Sequence, residues 1–563
     1  MGKLTGAQIL VQSLIDEGVD TIFGYPGGTV LDIYDALYDH TDQIRHIETT
    51  HEQHACHAAD GYSRSTGRTG VVLATSGPGA TNLVTGIATA YLDSVPLVAI
   101  TGNVGNGMIG TDAFQELDIT GVTLPITKHN YFVRDVSRLQ ETIRKAFVLA
   151  NSGRRGPVLV DIPADVQRQE ALYEKAASLR EAEKADIDAT DLEAAAAAIN
   201  ESRRPFIYFG GGVVASGAGD EVIELSRLIN APIGCSLMGI SGIPTTTPRF
   251  LGMEGMHGHF ASTKAMNQCD CLIALGARFN DRSTGDRTRF APSGKVVRVD
   301  IDSSEFSKTL DDRVEVLGDV KAVLQRLTPL VASNTHEEWG RRVRELRAEE
   351  KGYADYRETL TPKRIMDIIN EERDPETVVV TDVGQHQMWA AQYLTFDRPR
   401  SFITSGGLGT MGFGLGASIG AALATGRHVI LVTGDGSFAM NMAELITAVD
   451  NQLPITVVML DNRVLGMVRQ MQSLFKRQRY SQTTLDRKVD YVVLAQAFGA
   501  RATRATTPEE FAAQLSAALL VDGPTFVECP IDKDEFVTPV LQIGASMDEL
   551  IVNMDDVKAK MGR

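Results

Sequence analysis

An acidic side chain, an amide and two glycines stand in a spacing that suits a metal-bound diphosphate. Asp435 belongs to a Gly-Asp-Gly-Ser segment, and Asn462 follows further along the chain. Carboxylate and amide oxygens suit Mg²⁺, which keeps water and shares its coordination shell with phosphate oxygens. Gly434 and Gly436 allow the backbone to approach phosphate oxygens, and Ser437 offers a hydroxyl donor. This pattern predicts a site for Mg²⁺ and a diphosphate group.

Two apolar strands and the helix between them must position these residues. The strands are predicted at 429–433 and 455–460, and the helix at about 440–450. Parallel neighbouring strands joined by a right-handed crossover end at the same edge of their sheet. We therefore expect Asp435 and Asn462 to lie side by side, with the positive end of the helix dipole close to the phosphates.

The whole chain has the composition of a large acidic globular protein. Its 563 residues are enough for about three or four domains. A hydrophobic content of 43% with 23% charged residues allows large buried cores. The net charge of −17 argues against nucleic acid or an anionic membrane as the main partner. An anionic substrate must therefore be bound by local positive groups.

No segment predicts export or membrane insertion. Residues 1–18 have an amphipathic helical pattern rather than that of a signal peptide, and no apolar run reaches membrane-spanning length. Five cysteines in so long a chain indicate a reducing compartment, so we expect a cytoplasmic protein. Cys269 and Cys271 lie in an apolar, strand-like run and are predicted to be buried thiols rather than metal ligands.

Strands and helices alternate along most of the chain, which predicts an α/β fold with three doubly wound parallel-sheet domains. We expect domains at 1–168, 190–335 and 360–540, followed by a C-terminal tail at 541–563, whose role the pattern does not indicate.

Charged segments separate these domains, and two of the domains are related to each other. Residues 168–191 are predicted to be a linker and residues 336–360 a solvated helical connector. Residues 71–103 align without a gap with residues 429–461. The first and third domains are therefore predicted to be duplicates whose equivalent loops can face one another.

The segment around Asp435, with the following Asn462, resembles the diphosphate-binding motif of thiamine-diphosphate enzymes. These enzymes need a carboxyl group at the pyrimidine ring nitrogen of the cofactor, so that the ring's amino group can remove a proton from the thiazolium C2. Glu52 is the candidate, because it follows an apolar strand and opens the segment EQHACHAADGYSR. An ordinary carboxylate at a helix start is the alternative. The nearby segments FGYPGG and ATSGPGATN favour the cofactor role.

Further segments over nearly the whole chain resemble the large catalytic subunits of the acetohydroxyacid synthase, or acetolactate synthase, family. They include IGTDAFQE, KHNYFV, GMHG, ALGARFNDR, DVGQHQMWAAQ and SGGLGTMGFGLGA. The resemblance implies pyrimidine-binding, central FAD-binding and diphosphate-binding domains, with thiamine diphosphate, Mg²⁺ and FAD as cofactors. It also implies a homodimer or homotetramer with active sites at the subunit interface, and it leaves open a small regulatory subunit.

The resemblance assigns roles to individual residues, most of which lie in the outer domains. The implied metal ligands are Asp435, Asn462 and the backbone carbonyl of Val464. The implied catalytic residues are Glu52, Gly27, Phe114, Gln115, Met411 and Arg282. Met411 would also contact thiamine diphosphate, together with Pro26, Thr75, Asn82, Gly384, Gln385, His386, Gly409, Gly434, Asp435, Gly436, Ser437, Asn462, Leu465, Gly466 and Met467. Core packing is the alternative for Phe114 and Met411.

The central domain is implied to hold FAD. Gly210, Gly211 and Gly212 follow the apolar strand PFIYF, where glycines allow a diphosphate to approach the backbone. The implied FAD contacts are Arg154, Gly211, Gly212, Met256, His257, Gly276, Arg278, Asp300, Ile301, Asp319 and Val320. A surface salt bridge is the alternative role for Arg278, and turn capping is the alternative for Asp300 and Asp319.

The implied reaction decarboxylates pyruvate and joins its two-carbon unit to a second 2-ketoacid. The product is 2-acetolactate, or 2-aceto-2-hydroxybutyrate when the acceptor is 2-ketobutyrate, in the first common step of branched-chain amino acid biosynthesis. Arg282 is implied to bind the acceptor carboxylate and to form the second-substrate pocket with Met256 and Met471.

Three positions depart from the pattern of the family. Met471 stands where most members have Trp, Ala164 replaces a customary Lys, and Asn280 replaces an Asp. Because a flexible thioether is not a rigid flat wall, we expect a weak preference for 2-ketobutyrate and resistance to herbicides that stack there. Ala164 should weaken the binding of anionic inhibitors further. The direction of any effect of Asn280 on FAD affinity does not follow from the sequence.

Related activities share this scaffold and remain alternatives. Pyruvate oxidase would use the flavin for redox chemistry, and a 2-ketoacid decarboxylase would release acetaldehyde. Glyoxylate carboligases characteristically lack the glutamate, so Glu52 argues against that activity. The presence of Glu52, Asp435 and Asn462 together argues against an inactive or regulatory paralogue.

Overall fold

A six-stranded parallel sheet organises the N-terminal domain of the computed structural model, which describes residues 2–175, 186–290, 294–308, 313–353 and 357–562. Strand β1 (Gly2–Thr5) pairs antiparallel with β8 (Glu170–Tyr173) outside this sheet. The sheet has the order β3-β2-β4-β5-β7-β6, with β2 Thr21–Tyr25, β3 Arg45–Glu48, β4 Gly70–Ala74, β5 Leu97–Asn103, β6 His129–Phe132 and β7 Pro157–Pro163. Its helices are α1 Gly6–Asp16, α2 Leu31–Tyr38, α3 Glu52–Thr66, α4 Pro78–Asn82, α5 Val84–Leu92, α6 Ile119–Thr123, α7 Leu139–Asn151 and α8 Ala164–Arg168.

The central domain has a parallel sheet with a different strand order. Its strands are β9 Pro205–Phe209, β10 Ile233–Cys235, β11 Phe250–Met253, β12 Cys271–Leu275, β13 Lys295–Asp300 and β14 Arg313–Leu317. The order β11-β10-β9-β12-β13-β14 is that of dinucleotide-binding folds, whose ligands bind where the order reverses, here between β9 and β12. Its helices are α9 Ala189–Asn200, α10 Gly211–Ser216, α11 Gly219–Ile229, α12 Phe260–Gln268, α13 Asp281–Thr284, α14 Val320–Leu327 and α15 Glu337–Lys351.

The C-terminal domain repeats the strand order of the first. Its strands are β15 Val378–Thr381, β16 Phe402–Ile403, β17 Val429–Gly434, β18 Ile455–Asp461, β19 Arg501–Arg504 and β20 Thr525–Pro530, in the order β16-β15-β17-β18-β20-β19. Counted from the first strand of each sheet, this order equals that of the N-terminal sheet, which confirms the predicted duplication. Its helices are α16 Pro362–Glu372, α17 Gln385–Tyr393, α18 Gly414–Thr425, α19 Asp435–Asn441, α20 Leu445–Asp450, α21 Gly466–Phe475, α22 Tyr491–Ala497, α23 Pro508–Ala518 and α24 Met554–Met561.

The three parallel sheets confirm the predicted fold class. Central strands such as β5, β9 and β18 are buried along their whole length, because helices cover both faces of each sheet. All five cysteines are buried thiols, as predicted for Cys269 and Cys271. In the part of the chain that the structure describes, no helix is both long and apolar enough to cross a membrane.

Helices α3 and α18 are equivalent elements of the duplicated domains. They pack so closely that backbone atoms of one helix contact the other. A Cβ atom added to Gly420 would lie 1.8 Å from the Ala58 carbonyl oxygen, and one added to Gly61 would lie 2.1 Å from that of Ala417. Only glycine fits at these two positions without a shift of the backbone. The contact docks the first domain on the third.

The segments between the domains differ from expectation in two places. Residues 170–173, placed by the sequence in the first linker, form β8, whereas residues 176–185 of that linker lie outside the described residues. The predicted connector forms α15, but this helix is not fully solvated. Trp339 and Leu346 are buried, and Trp339 Nε1 donates a hydrogen bond to the Pro205 carbonyl at 2.9 Å.

Candidate active site

The carboxyl ends of β17 and β18 carry the residues predicted to bind a metal and a diphosphate. The register pairs Gly434 with Leu460, so Asp435 and Asn462 leave neighbouring strands at the same edge. Among the described residues, none bonds to the buried Oδ2 of Asp435. Burial, reinforced by the nearby Asp461, raises the pKa of Asp435 to about 7. A cation would supply the missing partner, so this donor set fits Mg²⁺.

The helix at this site begins earlier than the sequence predicts. Instead of a turn before one helix over 440–450, α19 begins at Asp435, and a 3-10 turn separates it from α20. The strand leads directly into the helix because the extended backbone of Gly434 occupies the N-cap position. The Ser437 hydroxyl donates to the Val383 carbonyl at 2.8 Å, so its bond to a phosphate stays a prediction.

The amide of Asn462 is held by hydrogen bonds to its own domain. Its Nδ2 donates to Gln385 Oε1 at 3.2 Å, and its Oδ1 accepts from the Val464 N–H at 3.1 Å. Gln385 in turn donates to Gln470 Oε1 at 3.0 Å. His386 lies against Gly434, and burial lowers the pKa of this imidazole to about 3, which keeps the ring neutral.

Met411 also faces this segment. A Cβ atom added to Gly436 would lie 3.0 Å from Leu465 Cδ2 and 3.7 Å from Met411 Cε. Met411 is half-buried rather than enclosed in the core, and Gly409, with a φ of +70°, forms the turn before it. The remaining predicted residues of this side, Gly384, Gly466 and Met467, flank the starts of α17 and α21.

The carboxyl ends of β2, β3 and β4 form the other predicted half of the thiamine site. Glu52 opens α3, is 8% exposed, and its Oε2 accepts from Asn82 Nδ2 at 2.9 Å. Thr75 packs on Gly27, where an added Cβ would lie 2.5 Å away, and exposed Pro26 precedes them. Each half-site is thus built within its own domain.

Phe114 and Gln115 lie on the loop that follows β5. Gln115 has a left-handed φ of +62° and packs on Gly77. The Phe114 side chain is 87% exposed, so it is not packed in the core of this chain.

A cavity of about 1420 Å³ lies where the central domain meets the other two. It is lined by all of the residues predicted to contact FAD: Arg154, Gly211, Gly212, Met256, His257, Gly276, Arg278, Asp300, Ile301, Asp319 and Val320. Glycines line the cavity at the point where the strand order reverses, between β9 and β12. A Cβ added to Gly212 would lie 2.6 Å from the Gly276 Cα. The position and size of the cavity fit a dinucleotide such as FAD.

Several of these residues already have partners in the protein. Arg154 forms a salt bridge with Glu305 at 3.0 Å, and Arg278 donates to the Leu92 carbonyl rather than to a carboxylate. Asp319 caps α14 through the Ala322 N–H at 3.2 Å, and Asp300 accepts from the Asp302 N–H at 3.0 Å. The capping alternative is therefore observed for both aspartates, which still line the cavity.

Comparison with known proteins agrees with this architecture. Models of the thiamine pyrophosphate enzyme N-terminal TPP binding domain, central domain and C-terminal TPP binding domain match residues 4–122, 192–327 and 382–529. The chain is 44% identical to the acetolactate synthase isozyme 2 large subunit of Escherichia coli, over 97% of this chain and 99% of that protein. It is 42% identical to a probable acetolactate synthase large subunit of Methanocaldococcus jannaschii, over 97% and 95%.

The chain belongs to the acetolactate synthase large-subunit family. Its membership confirms the predicted family, fold and enzyme class, and the two matched TPP binding domains make thiamine diphosphate its cofactor. The acetolactate synthase family carries out thiamine-diphosphate-dependent acetolactate formation in branched-chain amino acid biosynthesis.

The positions at which this acetolactate synthase family member departs from the usual pattern lie in two places. Met471 lines the cavity with Arg282 and packs against the apolar cluster formed by Met256, Leu541 and Met547. Asn280 caps α13 by accepting from the Arg282 and Ser283 N–H groups, both at 3.0 Å. This cap positions the helix that carries Arg282, whose Nη1 lies 3.3 Å from Met256 Sδ.

Ala164, the third of these positions, opens α8 in the N-terminal domain. The described residues that line the cavity do not include Ala164. The structure therefore does not bring Ala164 and Met471 together around the cavity of one chain.

Two features of this site were missed from the sequence. The C-terminal tail packs Leu541 and Met547 in a cluster with Met256, and His257 Nδ1 donates to the carbonyl of Pro539, just before the tail, at 3.3 Å. No periodicity in the tail indicated this role. The other feature is Glu254, whose signal was a lone acidic residue within the otherwise uncharged LGMEGMHG segment.

Proposed function

We propose that the chain decarboxylates pyruvate and joins the two-carbon unit to a second 2-ketoacid. Pyruvate as acceptor gives 2-acetolactate, and 2-ketobutyrate gives 2-aceto-2-hydroxybutyrate. The observation that carries the proposal is the pair of half-sites at equivalent edges of duplicated sheets, one around Glu52 and one around Asp435. Thiamine diphosphate, when bound, supplies the electron sink that allows a 2-ketoacid to lose CO₂.

Glu52 would hold a proton at the pyrimidine ring nitrogen of the cofactor. Its side chain is nearly buried, and the Asn82 amide fixes the orientation of the carboxyl group. A carboxyl group in this dry position supports proton transfer within the site without exchange with bulk water. Gly27, Phe114, Gln115 and Met411 would border the reaction space.

We further propose that Mg²⁺ and FAD bind beside thiamine diphosphate. Asp435, Asn462 and the Val464 carbonyl would hold Mg²⁺, and the unpartnered Asp435 Oδ2 supports this assignment. FAD would lie in the cavity of the central domain, and the strand order of that domain supports the assignment.

The second 2-ketoacid would bind at the end of the cavity near Arg282. The Arg282 side chain is more than half exposed, and its ion pair with Asp281, at 3.7 Å, is also exposed. It is therefore accessible to a substrate carboxylate. Met471 and Met256 would form the flexible wall of this pocket, which supports weak discrimination between acceptors and weak binding of stacking herbicides.

The complete active site would lie between two copies of the chain. Apolar side chains of both half-sites are exposed in the single chain, including Phe114 at 87% and Met440 at 56%. Exposed apolar groups of this kind favour a protein partner. We therefore propose a homodimer or a homotetramer. The relatives are named as large subunits, which supports a small regulatory subunit as a further partner.

Product analysis tests the proposed reaction. Purified protein would receive thiamine diphosphate, Mg²⁺ and FAD, then pyruvate with and without 2-ketobutyrate. We expect 2-acetolactate as the main product even when both acceptors are present. Acetaldehyde as the main product would instead indicate a decarboxylase, and stoichiometric oxygen or quinone consumption would indicate pyruvate oxidase.

A further inference from the structure

Glu254 is a carboxyl group of the cavity to which the proposed function gives no role. It directly follows β11, and its N–H donates to the carbonyl of Cys235 at the end of β10 at 3.0 Å. These are carboxyl ends of strands, the edge at which open parallel sheets bind ligands. The residue is only 4% exposed, and it lines the cavity together with Met256 and Arg282.

Among the described residues, the carboxyl group of Glu254 has no hydrogen-bond partner of ordinary geometry, although the Tyr208 and Ser283 hydroxyls lie close enough to lower its pKa. Its polar neighbours are Tyr208 and Ser283, but the Tyr208 hydroxyl donates to Ser283 Oγ at 3.2 Å. Within the described residues, neither Oε1 nor Oε2 of Glu254 accepts a hydrogen bond. A buried polar group without a partner costs stability, so a ligand that satisfied it would be bound more tightly.

The protonation state of Glu254 decides which bond it can make. Burial raises its pKa to about 8, and the hydroxyls of Tyr208 and Ser283 lower it by less. At pH 7 the group is therefore a neutral carboxylic acid. A neutral carboxylic acid has one O–H donor, whereas a carboxylate can only accept.

We propose that Glu254 is a ligand-binding residue that donates a hydrogen bond to a neutral acceptor of the flavin ring, such as a ring carbonyl. The inference depends on the proposed FAD site. Gly211, Gly212 and Asp300 lie at the ends of β9 and β13, whereas Glu254 and Met256 follow β11. The Met256 N–H donates to the carbonyl of Arg282 at 2.8 Å, which places Arg282 beside them. This side leads to the proposed acceptor pocket, where the reactive ring rather than the diphosphate would be expected.

The bond should make FAD binding depend on pH. Tyr208 and Cys235 also face Glu254, and burial raises the pKa of both well above their ordinary values. Burial lowers the pKa of His257 to about 4. Between pH 7 and 9, Glu254 is thus the group among these that changes charge. Its ionisation would remove the donor and place a carboxylate against an acceptor, so affinity should fall as pH rises.

Three variants of the full chain test this role. Glu254→Leu removes both oxygens, Glu254→Gln keeps an uncharged donor, and Tyr208→Phe is the control for the neighbouring hydroxyl. FAD dissociation constants and the visible flavin absorbance spectrum would be measured from pH 7 to 9, with circular dichroism and thiamine diphosphate binding as checks of the fold. We expect E254L to weaken FAD binding about fivefold at pH 7 and to shift the flavin spectrum.

The pH profile supplies the second readout. Wild type should lose about tenfold in FAD affinity between pH 7 and 9, and E254Q should not. Y208F should also lose affinity, but at higher pH than wild type, because the Tyr208 hydroxyl lowers the pKa of Glu254. If E254L does not fold, the comparison of E254Q with wild type decides. Wild-type affinity and spectrum in E254L, or equal pH profiles for wild type and E254Q, would overturn the role of Glu254 alone. Failure of the wild type to bind FAD would overturn the FAD site itself.

Discussion

Asp435 and Glu254 are both buried acids with unpartnered carboxyl oxygens, but the sequence indicated only Asp435. The chemistry of Asp435 is encoded locally, by the glycines beside it and by a strand that ends at a sheet edge. The environment of Glu254 depends on Tyr208 and Ser283, which lie on other elements. Tertiary contacts of this kind are not encoded in the neighbouring sequence, where the only signal was an acidic residue in an otherwise uncharged segment. The roles of individual residues were therefore only partly predictable.

Met471 is the residue with the clearest expected effect on specificity. It lines the cavity with Arg282 and packs against the cluster of Met256, Leu541 and Met547. Met471→Trp would add a flat rigid wall, so we expect the ratio of 2-aceto-2-hydroxybutyrate to 2-acetolactate to rise about fivefold when pyruvate and 2-ketobutyrate compete. Inhibition by stacking herbicides should strengthen in the same variant. Met471→Leu is the matched control and should keep the wild-type ratio. Strong 2-ketobutyrate preference in the wild type would contradict this account.

At the scale of elements, hydrophobic periodicity predicted the alternating strands and helices, and the gapless internal alignment predicted the duplication. The boundaries around Asp435 were less predictable, because the start of α19 depends on how the Gly434 backbone leaves the strand. The tail was not predicted, since its short segments acquire their role by packing on Met256 and Met471.

The contact between α3 and α18 should be sensitive to a single methyl group. Gly420→Ala would place a Cβ 1.8 Å from the Ala58 carbonyl oxygen, so the two helices would have to separate. We expect the variant to lose about 2 kcal/mol or more of stability, measured as a lower midpoint of thermal unfolding. Gly107→Ala, where a Cβ meets nothing within 4 Å, is the control and should unfold like the wild type. Equal losses in both variants would refute the contact.

His54 on α3 should contribute to acid sensitivity. Burial, assisted by the nearby His51, lowers the pKa of His54 to about 4, below the ordinary value of about 6.5. Between these pH values His54 binds a proton more tightly in the unfolded chain than in the folded one. Its contribution to the stability of the fold is therefore fully present above pH 6.5 and is lost as pH falls toward 4. The unfolding midpoint should drop between pH 7 and 5, and His54→Gln should make that drop smaller. Other buried histidines, including His57 and His386, also have lowered pKa values. They would account for the pH dependence of the unfolding midpoint that remains in the variant. An identical slope in the variant would exclude this role for His54.

At the scale of the whole molecule, the sequence predicted three parallel-sheet domains but not how their surfaces combine. The large cavity takes residues from all three domains and from the tail, including Asp93, Arg154 and Ile543. Spacing along the chain does not indicate which surfaces of different domains combine, so the FAD contacts were predicted from the family resemblance instead. The two predicted thiamine half-sites belong to different domains, and the exposed Phe114 and Met440 side chains support the proposal that a second copy completes the site.

Subunit complementation tests the shared active site most directly. Glu52→Gln and Asp435→Asn would be expressed separately, and also together with different tags so that the mixed dimer can be isolated. We expect each separate variant to form almost no 2-acetolactate. The mixed dimer should recover about half of the wild-type activity, because one of its two active sites joins an intact Glu52 to an intact Asp435. A mixed dimer as inactive as its parents would show that each site is built within one chain and would contradict the account.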